Sequence, residues 1–165
     1  MNSEGSKVAQ PIITDQAFIR LLSTAKVVEE KWRTKLEDLR PSGDGFLRSR
    51  YVLPDEVTTG PTRGSFFLFR RQHPSPTRAL TDFTIGLGFT DLQGWEYRLV
   101  RCNGAHGAHC NRVDGEWLPI IEHVHYMTEI YQRRLASKQE WSGDGFAVPL
   151  RLIATTTVPF DTSVR

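Results

Sequence analysis

Between Phe83 and Phe89 every second residue is large and apolar (Phe83, Ile85, Leu87, Phe89), and the positions between them are Thr84, Gly86 and Gly88. A repeat of two belongs to an extended strand and not to a helix, whose period is 3.6. Such a strand packs one face; its glycine face is either open or closely approached by another backbone. The same alternation marks five β-rich runs: Phe46–Leu53, Ser65–Arg71, Ala79–Phe89, Trp95–Arg101 and Leu118–Tyr126. Their mostly short links predict an antiparallel meander, with a hairpin turn at Asp91-Leu92-Gln93-Gly94.

Ahead of these runs the period is helical. From a cap at Thr14 or Asp15, apolar residues recur at Phe18, Leu21, Leu22, Ala25, Val28, Trp32, Leu36 and Leu39, until Pro41 and Gly43-Asp44-Gly45 stop the pattern. This predicts one helix of about 25 residues with a single buried stripe. A second, short helix is expected over Thr128–Ser137, with Ile130, Tyr131 and Leu135 on one side. The expected fold is therefore α+β: a long N-terminal helix on a mostly antiparallel five-stranded meander sheet, with a short second helix after the last strand. Residues 1–11 show no periodicity and read as a disordered leader, and 12–165 as a single domain. The pentapeptide Ser-Gly-Asp-Gly-Phe occurs at 42–46 and again at 142–146, which reads as shared turn chemistry and not as a repeat.

Composition limits the function. Lys plus Arg number 21 against 19 Asp plus Glu, so a nucleic-acid role requires a local basic patch and not a global field. The first ten residues are polar, and no apolar run approaches the roughly 18 residues needed to span a bilayer. A cytoplasmic protein with no membrane partner is expected, and Cys102 and Cys110 then read as reduced, incidental thiols.

The chemistry concentrates between Arg101 and His125. Asn103-Gly104-Ala105-His106-Gly107-Ala108-His109-Cys110-Asn111 belongs to a connection longer than compact domains usually carry without a functional reason. The last predicted strand then supplies His123 and His125, two residues apart and so on one face, roughly 7 Å from each other. With these two, four of the five histidines fall between 106 and 125. If the loop folds back, His106 or His109 comes over His123 or His125.

Three readings follow. The first is metal-free phosphodiester cleavage: His106 and His109 are acid and base, His123 or His125 is a third proton carrier or orienting group, and Arg101 stabilises the developing charge with Asn103. The second is a zinc site drawing ligands from His106, His109, His123 and His125, with Cys110 a further possible ligand from the loop. The third is a non-catalytic module gripping a protein or nucleotide, with Asn103, Asn111 and Tyr131 as binding contacts; Tyr131 and Glu129 also read as supports for His125. Arg70-Arg71-Gln72-His73 reads as a solvated strand end, or else as a phosphate patch with Arg63 and Arg78. Phe66, Phe67 and Phe69 read as core.

The run Arg101-Cys102-Asn103-Gly104-x-His106-Gly107-x-His109-x-Asn111, followed by His123-x-His125 and Thr128-Glu129-x-Tyr131, resembles an uncharacterised family of small bacterial proteins associated with mobile elements and toxin–antitoxin-like gene pairs. The likeness covers about residues 46–140. It implies a toxin-like protein that cleaves or binds RNA through the histidine loop, without a cofactor, and that has a cognate antitoxin or regulator as partner. It supplies no established active site.

Overall fold

The computed structural model describes residues 10–137 and 146–150. Most of the expected leader, the second Ser-Gly-Asp-Gly-Phe turn and the tail beyond 150 lie outside these residues. In chain order the elements are α1 (Asp15–Ser23), α2 (Trp32–Glu37), β1 (Arg40–Pro41), β2 (Leu47–Thr59), β3 (Thr62–Gln72), α3 (Pro76–Ala79), β4 (Phe83–Asp91), β5 (Glu96–Asn103), β6 (His109–Asn111), β7 (Glu116–Leu118), β8 (His123–Tyr126), α4 (Glu129–Ala136) and β9 (Phe146–Pro149).

The long N-terminal helix is not formed. Thr14 caps α1 by accepting the Ala17 N–H, but the helix stops at Ser23 and Thr24 is extended. Lys26 folds back, and its ammonium donates to the carbonyls of Leu21, Leu22 and Thr24 at 3.0, 3.0 and 2.6 Å, satisfying acceptors that the helix leaves open. Past this cap the chain carries the β-branched Val27 and Val28, poor helix formers, and both are exposed, so Val28 is not part of a buried stripe.

The five-stranded sheet is also corrected. Seven strands pair in the order β1-β2-β3-β4-β5-β8-β9, every pairing antiparallel, and β6 and β7 form a separate two-stranded ribbon. The expected run Leu118–Tyr126 is two strands: β7 ends at Leu118, before Pro119, which has no N–H for a ladder. The residues predicted to begin the third run instead close α3, and β4 starts at Phe83. The first Ser-Gly-Asp-Gly-Phe segment turns β1 into β2. There the Ser42 hydroxyl and the Arg48 guanidinium bind Asp44 and hold its carboxyl down at about 2.

The two faces of the sheet differ. On one, Phe66, Phe89, Tyr97, Leu99 and Leu53 form the core with Ile13, Phe18 and Leu21 from the α1 segment. On the other, the Phe69 and Phe67 rings crowd Gly86 and Gly88, and at Gly86 the Val100 carbonyl of β5 approaches as well, 2.6 Å from where a Cβ would stand. A Cβ on Gly86 would stand 2.4 Å from Phe69 Cζ, and one on Gly88 2.1 Å from Phe67 Cζ, so only glycine lets these rings lie flat across β4. No helix among the described residues is long and apolar enough to cross a membrane.

Candidate functional site

Residues directly opposite in an antiparallel pair share a face. The register places Arg71 opposite Thr84, Thr84 opposite Asn103, and Asn103 opposite His123; in the next row Gly86 faces Arg101, and Arg101 faces His125. Four strands thus bring Arg71, Thr84, Arg101, Asn103, His123 and His125 onto the face opposite the core. Thr84 Oγ1 donates to Asn103 Oδ1 at 3.0 Å, and both residues are buried.

The β6–β7 ribbon adds the loop histidine. Asn111, fully buried, donates from Nδ2 to the Ala147 carbonyl and accepts the Ala147 N–H on Oδ1, both at 2.8 Å. Both backbone groups of Ala147 therefore point away from β8. The Asn111 amide stands in for one residue of a neighbouring strand and docks the ribbon on that edge. Two residues earlier, His109 is carried over β8, where its ring stacks on His123 at 5.6 Å between centroids and meets His125 edge-on at 4.5 Å; His123 and His125 are 4.7 Å apart.

One nitrogen from each of these three rings lies within 4.8 Å of the others. An ion at the centre of a triangle of that size would be no more than about 2.8 Å from each nitrogen, so inward ring movements of about 0.7 Å reach the 2.0–2.1 Å of a zinc–imidazole bond. His123 Nδ1 is 2.8 Å from the Ile121 carbonyl. A carbonyl only accepts, so Nδ1 carries the proton and Nε2 keeps its lone pair, the tautomer of a metal-ligating histidine held from outside. His123 and His125 are each 3% exposed. A cavity of about 320 Å³ opens beside the cluster, lined also by Arg71, Thr84, Arg101, Asn103 and His106.

The residues singled out from sequence separate here. His109, His123 and His125 come together, with Arg101 and Asn103 at the cavity. His106 lies exposed on its rim, outside the cluster. Asn111 is engaged with Ala147, and the buried Tyr131 accepts the Val113 N–H at 3.5 Å under the ribbon's turn. Glu129 pairs with Arg133, and its backbone N–H donates to Asp15. Cys102 faces away from Arg101 and Asn103, where burial raises its thiol pKa. Sequence reasoning missed Thr84, and it placed Arg71 in a patch with Arg63 and Arg78, which do not line the cavity. The available signal was the alternation Phe67, Phe69, Arg71, which fixes Arg71 and not Arg70 on the glycine face. No protein family, curated protein or solved structure matches the chain.

Proposed function

We propose that the protein is a zinc-dependent hydrolase of phosphoesters whose ion is held by His109, His123 and His125. The observation that carries this reading is the convergence of three imidazole nitrogens within 4.8 Å, with His123 fixed in the ligating tautomer by Ile121. Imidazole sets of three with an open position suit zinc, which supplies an acidified water as nucleophile. Arg71 and Arg101 face the non-bridging oxygens of the bound ester from the cavity wall, and Asn103, oriented by Thr84, fixes the ester's position. With the ion in place its water would lose a proton to solvent and its oxygen would bond to phosphorus; as the bond to the leaving oxygen breaks, His106 on the rim would donate a proton to that oxygen and recover one from solvent.

The geometry favours this over metal-free acid–base cleavage by any two of His109, His123 and His125; metal-free cleavage by His106 with His109 is instead an outcome of the test below, since it would leave hydrolysis undiminished by chelator. An acid and a base acting on a phosphodiester stand on opposite sides of the phosphorus, with the ester between them. Rings whose centroids are 4.5 to 5.6 Å apart are in contact and leave no such gap.

The test is elemental analysis of protein prepared without a metal-affinity tag and dialysed against micromolar zinc, paired with hydrolysis of bis(p-nitrophenyl) phosphate. Close to one zinc per chain is expected, lost in His109→Ala, His123→Ala and His125→Ala, and retained in His73→Ala and His106→Ala. Hydrolysis should fall by about 10²-fold or more in each ligand variant and with chelator. A folded wild-type protein that takes up no zinc overturns the proposal.

A further inference from the structure

The site face continues beyond the cavity. Across the sheet the same row runs Arg40, Arg48, Arg71, Thr84, Asn103, His123, and the adjacent row runs Arg50, Phe69, Gly86, Arg101, His125; Arg98 lies opposite Gly88 in the row after. Six arginines thus share one face, and it ends at the histidine cluster. The described lysines, Lys26, Lys31 and Lys35, all belong to the segment packed on the other face, where Lys26 lies over Phe66. Arginine's planar fork matches phosphate oxygens two at a time, which lysine's point charge does not.

The guanidiniums are held in place by aromatic rings. Arg50 lies 3.7 Å over Phe67, Arg71 3.2 Å over Phe46, and Arg98 5.8 Å over Phe69. Phe67 is only 4% exposed, so it orients Arg50 and offers a base no stacking surface, while Phe46 and Phe69 are half-buried under the guanidiniums of Arg71 and Arg98. Asp38 pairs with Arg40, Asp44 with Arg48 and, at 3.8 Å, with Arg71, and Glu96 with Arg50, all at partly or largely solvent-exposed positions. Exposed pairs of this kind contribute little and exchange readily for a phosphate.

We infer that this arginine row is a track for single-stranded nucleic acid, which delivers a phosphodiester to the histidine cluster. From β1 to β8 the row crosses five strand spacings, about 24 Å. That length holds about four nucleotides of extended strand, the lower end of known single-strand site sizes. His123 and His125 lie buried and His109 half-buried beside the β6–β7 ribbon, against a cavity of about 320 Å³. A flexible single strand can bring one phosphate into that recess, whereas the rigid cylinder of a duplex is stopped at the rim. The inference rests on the metal-centre reading for the fate of the strand, and not for its binding.

The experiment measures fluorescence anisotropy of a labelled 12-nucleotide oligouridylate over a salt series, alongside hydrolysis of bis(p-nitrophenyl) phosphate and thermal unfolding. The double variant Arg48→Gln/Arg50→Gln, whose positions lie outside the cavity, should bind the oligonucleotide at least tenfold more weakly. Its salt slope should be shallower by about 1.4, the value for two lost single-strand phosphate contacts, with small-ester hydrolysis and melting temperature unchanged. Wild-type affinity in this folded variant overturns the track. So does equal competition by duplex RNA, or by polyglutamate, which would assign the face to duplex or to acidic protein. Loss of oligonucleotide binding in a protein that hydrolyses no ester and holds no zinc would keep the track and remove the metal-centre reading.

Discussion

Asn111 is where the fold and the site depend on each other most directly. Its side chain makes two buried 2.8 Å hydrogen bonds with the Ala147 backbone, so Asn111→Ala strands an N–H and a carbonyl on the side of β9 where no strand pairs with it among the described residues. An unsatisfied buried group costs about 1–3 kcal/mol, and partial entry of water at the edge should bring the pair to about 2–4 kcal/mol. Asn111→Asp separates hydrogen-bond chemistry from shape. A carboxylate can still accept the Ala147 N–H, but its other oxygen faces the Ala147 carbonyl and lies near the Glu116 carboxylate, which stands 3.4 Å from Asn111 Nδ2. The nearly isosteric aspartate should therefore destabilise at least as much as alanine. Because His109 is two residues away on the same strand, loosening the ribbon should also weaken zinc binding by about 10-fold or more, as for other outer-shell partners of a metal site. Urea unfolding and zinc titration of both variants measure the two effects. A cost below about 0.5 kcal/mol for alanine, a neutral aspartate and unchanged zinc affinity would refute the docking role.

Gly88→Ala, which places a Cβ 2.1 Å from Phe67 Cζ, should cost about 1–3 kcal/mol in urea unfolding, and a second change, Phe67→Leu, should recover part of it. Alkaline stability should depend on Tyr97, whose phenol is pushed up to about 12 by burial and then by Asp91. The folded value exceeds the ordinary one near 10, so the stabilisation is fully present below pH 10 and is lost as pH rises through 12. Tyr97→Phe should flatten the fall in urea midpoint between pH 10 and 11.5, and an unchanged slope would exclude Tyr97 as its source.

Period-two alternation located β3, β4 and β5 to within a few residues because each has one face on the core, so its sequence carries the face directly. Helical spacing over Phe18–Leu39 was misleading for the opposite reason. Apolar residues at intervals of three and four persist through Val28, yet the Lys26 cap and the following β-branched pair end the helix, and spacing does not register either. β9 was not legible, since four residues shorten any periodic signal and this strand is defined by its partner β8. In the site, His109, His123 and His125 lay in the stretch that drew attention by its composition. Which loop histidine joins them was decided by the Asn111–Ala147 bonds, between residues 36 positions apart. For Arg71 the alternation Phe67, Phe69, Arg71 gives the face, but only strand register brings it beside Thr84 and Asn103.

Zinc K-edge X-ray absorption on protein loaded with one equivalent of zinc reads the ligands of the ion and not only its stoichiometry. Nitrogen scatterers are expected at about 2.0–2.1 Å with the outer-shell pattern of three imidazoles, falling to two in His125→Ala and remaining at three in His106→Ala. A first shell of oxygens alone, or an imidazole count unchanged by removal of His125, would contradict the three-histidine site.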